Sequence, residues 1–361
     1  MFKLPCHSRT AQYPDAGSDI GADIGSYSDC GSDRCADIGS YSGAYWPTNG
    51  WRTSTPEEQG MDSKKLADMV VEINARNMKI HSLLVIRNGY LVSENYFNGY
   101  KADDRHEIAS VVKSFIGTLA GIALYKGYIA GTDQRVVDFF SDRSIKALDK
   151  RKEAMTVEDL LTMTSGLDYA EAANYDAAQQ NPDVVQYMLD LPMVREPGAK
   201  WVYCTGCSYL LSDIVRRTSG MGALDFAEQY LLKPLGITDF RWSGAATKDP
   251  PGVYGMHLRP RDMAKLGYLY LRKGQWDGQQ IVSSEWVQRA TQKRTDVDAD
   301  PHFGYGYHWF TVPAMEGYAA LGGGGQIILV IPKSDLVILA PANTEESIFE
   351  LIEKYILPSL S

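Results

Sequence analysis

Ser110 and Lys113 stand three residues apart in Ile108-Ala109-Ser110-Val111-Val112-Lys113-Ser114-Phe115, the only Ser-x-x-Lys of the chain. On a helix that spacing puts two side chains on one face, about a turn apart. The chemistry open to such a pair is nucleophilic: a serine hydroxyl attacks a carbonyl only when a neighbour takes its proton. Lysine can take it if burial or a nearby positive charge lowers its pKa from about 10.4. Val111, Val112, Phe115, Ile116, Leu119, Ile122 and Leu124 make this segment nearly all apolar, which predicts a partly desolvated Lys113. A serine in the first turn also meets the end of the helix dipole that favours developing negative charge. Spacing alone admits a plainer reading, a serine N-cap followed by a lysine that snorkels to solvent, so the rest of the chain must decide.

Other chemistries find less support. Cys204-Thr205-Gly206-Cys207 reads as half a zinc site or as a redox pair. No second Cys-x-x-Cys or close histidine pair completes a zinc site, and no βαβ unit precedes the motif. Cys30 and Cys35 lie in a Gly/Ser-rich segment and are read as incidental. There is no Gly-x-Gly-x-x-Gly after a strand and no Walker loop, which excludes a dehydrogenase or nucleotide-binding reading. A net charge of −9 and the lack of Lys/Arg blocks argue against nucleic-acid or anionic-membrane partners. No apolar stretch reaches the length of a membrane span. The opening residues turn polar at once, without a signal-peptide core. The expectation is a cytoplasmic protein, or a periplasmic or extracellular one whose export signal lies outside this sequence.

The elements that must position the pair follow from patterning. With 361 residues, 44% of them hydrophobic, the chain can build a large core. Residues 1–45 are rich in Gly, Ser, Asp and Tyr and repeat Ala22–Ser28 as Ala36–Ser42, which reads as a weakly ordered, low-complexity leader. An amphipathic helix is expected over 62–77, and a hairpin over 81–94 across Asn88-Gly89. The Ser110 helix comes next. A mostly helical stretch follows, with helices at 156–163, 182–190, 208–218 and 223–232. Further helices are expected at 260–272 and 283–291, strands at 325–332 and 335–341, and a closing helix over 345–356. Strands early and late with helices between predict an α+β fold: one antiparallel sheet drawn from 46–125 and 255–361, flanked by helices, with an all-helical lobe inserted at 126–254.

Two further stretches stand out: Glu196-Pro197-Gly198-Ala199-Lys200-Trp201-Val202-Tyr203-Cys204-Thr205, and Ala320-Leu321-Gly322-Gly323-Gly324-Gly325-Gln326 before a late strand. With them, over about residues 52–358, the chain resembles the serine β-lactamase and penicillin-recognising hydrolases. It is most similar to the class C-related branch that includes family VIII esterases and 6-aminohexanoate-dimer hydrolases. Val157–Leu167, Arg259–Gly267 and Phe303–Trp309 match that family's order of segments. The resemblance implies the β-lactamase/transpeptidase-like fold, with Ser110 as acylated nucleophile, Lys113 as its proton partner, and Tyr203 as the tyrosine of a Tyr-x-Asn motif. It also implies an oxyanion hole made by the N–H groups of Ser110 and Gly323. Gly322 and Gly324 would let the main chain approach substrate. Tyr169 and Trp309 would line the pocket, each with a plainer reading as surface or core. Two departures count against a β-lactam substrate. Thr205 replaces the asparagine, and Ala320-Leu321-Gly322 replaces Lys-Thr-Gly, so the cation that would pair with a β-lactam carboxylate is missing.

His257 and His308 invite a Ser-His-Asp reading. No Gly-x-Ser-x-Gly elbow occurs in the chain, however, and a Lys-Tyr pair does not require histidine. The expectation is a serine hydrolase, without metal or cofactor, cleaving a small-molecule ester or amide through an acyl-enzyme. A β-lactamase or D-Ala-D-Ala carboxypeptidase is the alternative within enzymes. Acyl transfer to an acceptor other than water uses the same residues. A catalytically silent penicillin-binding-like protein is the alternative outside them. The sequence leaves the oligomeric state open.

Overall fold

Asn88 and Gly89 both take positive φ, 54° and 78°, as a two-residue hairpin loop requires. They join β1 (Ser82–Arg87) to β2 (Tyr90–Tyr96) at one edge of the main sheet. The structure is a computed structural model that describes residues 45–243 and 253–361. Apart from Tyr45, the leader expected over 1–45 lies outside the described residues, as does 244–252 of the stretch expected as helical.

Three short strands, β3 (His106–Glu107), β4 (Phe240–Trp242) and β5 (Met256–Leu258), make a small sheet in the order β3-β5-β4, and β6 (Gln275–Trp276) pairs with β7 (Gln279–Gln280). The remaining strands are β8 (Thr295–Asp296), β9 (Gly304–Tyr305), β10 (Phe310–Val312), β11 (Gly317–Gly322), β12 (Gln326–Ile331) and β13 (Leu336–Ala340). The main sheet is antiparallel in the order β2-β1-β13-β12-β11-β10-β9-β8, so Leu84 of the early hairpin faces Leu339 of the last strand. The expected late strands are β12 and β13. Strands β8 to β11 were not foreseen, and the glycine run turns out to follow strand β11 as well as to precede β12.

Helices cover both faces, which is why β12 and β13 are apolar at nearly every position instead of alternating. On one face α1 (Ser63–Ala75), capped by the Asp62 carboxylate, contributes Leu66, Met69 and Ile73 to a core with Leu83, Val85, Leu329 and Ile338. Each such fully buried side chain stabilises the fold by roughly 1.5–3 kcal/mol. On the other face lies α2 (Val112–Tyr125), in which every residue from Val112 to Ala123 is buried. A helix apolar all round belongs inside, and Gly117 and Gly121 let neighbours close on it. A Cβ at Gly121 would lie 2.4 Å from the Trp286 ring.

After α2 come α3 (Lys150–Ala154), α4 (Val157–Leu161), α5 (Glu171–Gln180), α6 (Val184–Asp190), α7 (Thr205–Ser219) and α8 (Ala223–Ala227); α7 packs on α2, and α4, α5, α6 and α8 pack on α7. Thr156 and Asp159 form a capping box at the start of α4. α7 begins at Thr205, three residues before the expected start, because the Cys204 sulfur caps it by accepting the Cys207 N–H at 3.0 Å. α9 (Pro260–Leu271) lies on β12 and β13, where a Cβ on Gly267 would come within 2.7 Å of Ile328. α10 (Ser284–Thr291) and α11 (Ile348–Leu351), the latter extended by a π-helical Ile352–Ile356, complete the set used below. Among the described residues no helix is long and apolar enough to cross a membrane.

Candidate active site

Ser110 sits at a corner. The chain leaves β3, is anchored by the Ile108 N–H on the Met256 carbonyl at 3.0 Å, and makes a 3-10 turn, Ala109–Val111, directly into α2. Ala109 takes φ 46° to make that corner, a left-handed conformation that costs a non-glycine residue roughly 1–3 kcal/mol. Ser110 is left half-buried. Lys113, one turn on, is 4% exposed, and its Nζ donates to Ser110 Oγ at 3.0 Å. It does not snorkel to solvent.

Tyr203 arrives from the segment before α7. The Val202 N–H bonds the Met163 carbonyl at 2.9 Å, and the tyrosine ring packs with Met163, Trp201 and Tyr305. Its ring centroid is 4.9 Å from Lys113 Nζ, and its hydroxyl is buried with no hydrogen-bond partner among the described residues. Lys113 therefore touches both Ser110 and Tyr203, although the tyrosine lies about 90 residues further along the chain, just before α7.

The glycine run reaches the same corner. β11 packs against the Ser110 turn, and a Cβ on Gly322 would lie 2.9 Å from the Ile108 carbonyl oxygen. Gly323–Gly325 form a 3-10 turn in which Gly324 takes φ 76° and Gly325 87°. Only residues without a side chain combine that path with this closeness.

Thr205 is committed elsewhere. Its N–H donates to Glu171 Oε2 at 3.0 Å and its hydroxyl to Glu171 Oε1. Sequence reading missed Glu171, which opens α5 and has no spacing relation to Thr205. Burial first, and then the Glu171 carboxylate, push the Tyr175 phenol up to about 12 and the Tyr169 phenol above its ordinary range. Tyr169 is thus buried beside Glu171, not a surface residue. Trp309 corrects the expectation of a pocket wall: it is wholly buried, its ring 4.5 Å from that of Tyr270 and 5.5 Å from that of Tyr318, so it belongs to the core. Cys204 and Cys207 are joined in a disulfide beside Tyr203. His257, on β5, bonds the carbonyl of Gly255 just before that strand, and His308 is buried near Lys113. Among the described residues no group of three or more metal-ligating side chains is placed to hold an ion.

The beta-lactamase family model matches residues 59–357, most of the chain. The chain belongs to the beta-lactamase family. The 6-aminohexanoate-dimer hydrolase of Paenarthrobacter ureafaciens is 24% identical over 312 residues, covering 79% of each chain. Among solved structures, a family VIII carboxylesterase superposes with TM-score 0.67 at 14% identity, covering 85% of this chain and 98% of that one. An octameric penicillin-binding protein homologue from Pyrococcus abyssi gives TM-score 0.66 at 22% identity, covering 82% and 77%. The fold is β-lactamase/transpeptidase-like, an antiparallel sheet with helices, and the proteins similar to this chain include hydrolases and acyltransferases.

Proposed function

We propose that this protein is a serine hydrolase that cleaves a carboxylic ester or small amide through an acyl-enzyme on Ser110. The observation that carries the reading is the 3.0 Å bond from Lys113 Nζ to Ser110 Oγ beneath the ring of Tyr203. In the proposed reaction Ser110 Oγ attacks the carbonyl carbon while its proton passes to the Lys113/Tyr203 pair. The N–H groups of Ser110 and Gly323 hold the developing oxyanion, where such donors are worth about 2.7–4 kcal/mol each. The carbon–oxygen or carbon–nitrogen bond to the leaving group then breaks, and the leaving group takes the proton from Tyr203. Water, giving its proton to the same pair, attacks the ester carbonyl; the bond to Ser110 Oγ breaks, Oγ takes the proton back, and the acid is released.

The preference for esters and small amides over β-lactams rests on Thr205 and Ala320. Thr205 stands where the family's motif has asparagine, and its hydroxyl is donated to Glu171. Ala320, at the lysine position of Lys-Thr-Gly, offers no charge to a substrate carboxylate, a contact typically worth about 1.5–3 kcal/mol. The carboxylesterase and the 6-aminohexanoate-dimer hydrolase among its relatives support the same preference.

The test is hydrolysis of a short-chain nitrophenyl ester and of a chromogenic cephalosporin by wild type and Ser110→Ala, with phosphonate labelling read by intact mass. Ester turnover and label that vanish in Ser110→Ala, with little cephalosporin turnover, are expected. Turnover that survives in Ser110→Ala overturns the nucleophile. Absence of any label on Ser110 sinks the enzyme reading and leaves a silent binding protein.

A further inference from the structure

His308 bonds to three of the helices around the site. Its backbone N–H and its Nδ1 both reach the Leu161 carbonyl at the end of α4, at 3.1 and 3.0 Å. Its own carbonyl accepts from Ser114 Oγ at 2.6 Å, on α2 and next to Lys113. Its Nε2 meets Ser208 Oγ of α7 at 2.8 Å. These contacts fix the proton. A carbonyl oxygen can only accept, so Nδ1 carries the hydrogen and Nε2 presents a lone pair to the Ser208 hydroxyl. The residue is 2% exposed and takes φ 57°, a conformation in which histidine is enriched among non-glycine residues. Gly117 admits it: a Cβ there would stand 3.0 Å from His308 Cβ.

We propose that His308, as the neutral Nδ1–H imidazole, is a positioning residue that fixes the Ser110/Lys113 helix against the helix that Tyr203 precedes. The inference rests on the catalytic reading of those three residues given above. Apolar contact between α2 and α7 resists separation but does little to set their register, because such contacts are non-directional. A hydrogen bond has a preferred distance and angle. The His308–Ser208 bond, with Ser114 on the same residue, therefore sets how far Tyr203 stands from Lys113 Nζ. The imidazole must stay neutral, since protonation removes the acceptor and adds a second cation beside Lys113. Burial pulls its pKa down to about 3; the Leu161 carbonyl opposes this, and the Lys113 charge adds a smaller downward pull.

Two variants cut this bond from opposite sides. Ser208→Ala removes the donor. His308→Asn tolerates the left-handed backbone and keeps an N–H near the Leu161 carbonyl, but does not reach Ser208. We expect each to lower kcat on the nitrophenyl ester by about tenfold to hundredfold, the scale of a small misplacement of reacting groups. KM should stay within about twofold of wild type, and the double variant should be no worse than either single one, as coupled neighbours require. Imidazole nitrogen NMR, assigned by the signal lost in His308→Asn, should show the Nδ1–H tautomer and no titration near the ordinary value of about 6.5. Full kcat in either variant while Ser110→Ala is inactive overturns the positioning role and leaves the catalytic reading standing. So does an Nε2–H tautomer. Turnover persisting in Ser110→Ala overturns both together.

Discussion

The Glu171 carboxylate holds Thr205 by two atoms, one oxygen accepting its backbone N–H at 3.0 Å and the other its hydroxyl. This satisfies an N–H that the first turn of α7 leaves without an intrahelical partner and sets a negative charge at that helix end. Hydrogen bonds to a charged group are worth about 1.5–3 kcal/mol. Glu171→Ala should lose about that much stability in urea denaturation, and Glu171→Gln, which keeps one acceptor, clearly less. Equal stability of all three proteins would show that the carboxylate does not anchor α7.

Tyr203→Phe should separate activity from stability. The hydroxyl is buried and unpartnered, so removing it relieves an unsatisfied polar group and leaves the melting temperature equal or higher. If the phenol transfers protons, kcat falls by about 10²–10⁴-fold. A Phe variant with unchanged kcat would reduce Tyr203 to a packing role.

Gly322→Ala tests the closeness of β11 to the Ser110 turn. The added methyl meets the Ile108 carbonyl oxygen at 2.9 Å, and that is main chain two residues before the serine. Overpacking of this kind costs typically about 1–3 kcal/mol, and a displaced serine loses kcat on the order of a hundredfold. Gly127→Ala is the control. Its φ of 79° makes alanine strained, but nothing lies within 4 Å, so it should lose stability of about 1 kcal/mol and keep kcat. Similar kcat in the two variants would dismiss the contact.

Acid should weaken the fold before the carboxylates titrate. His106 is pulled down to about 4 by burial first, then by His81 and His257, with Asp104 opposing. His308 is pulled down to about 3. Below their ordinary value of about 6.5 the unfolded chain binds protons that the folded protein refuses. Stability is therefore complete above that value and falls as pH drops toward the folded values. The slope is up to about 1.4 kcal/mol per pH unit for each histidine. Urea midpoints between about pH 7 and 5 would show it, and His106→Gln should flatten the slope. A flat wild-type profile in that window would mean that neither histidine is held neutral.

What could be read from the sequence was local. The Ser110–Lys113 pairing follows from helical spacing, and Asn88-Gly89 announces its own turn. The contacts that position Tyr203 and Thr205 are of another kind. Glu171 and Thr205, or Ser208 and His308, have no periodic relation and meet only through tertiary packing. The sequence set aside a Ser-His-Asp role for His308 but could not show where the residue packs, because its type was visible and its burial was not. Trp309 was ambiguous for the same reason. Strands β8 to β10 are two or three residues long, too short for a period of two to register. The start of α7 escaped because a cysteine caps it where Ser, Thr, Asp or Asn would have been the signal.

The pairing of Leu84 with Leu339 dictates an order of assembly. During synthesis the β1–β2 hairpin emerges early, but the strand that covers its inner edge is among the last to appear. Until then β1 offers an open row of hydrogen-bonding groups and apolar side chains on both faces, a template for pairing with the wrong chain. Contacts so distant in sequence also form slowly, because loop closure precedes any gain from pairing. Yield on refolding should therefore fall steeply with protein concentration. The shared sheet that assembles the site is also where this chain is most exposed to aggregation on the way to its native state.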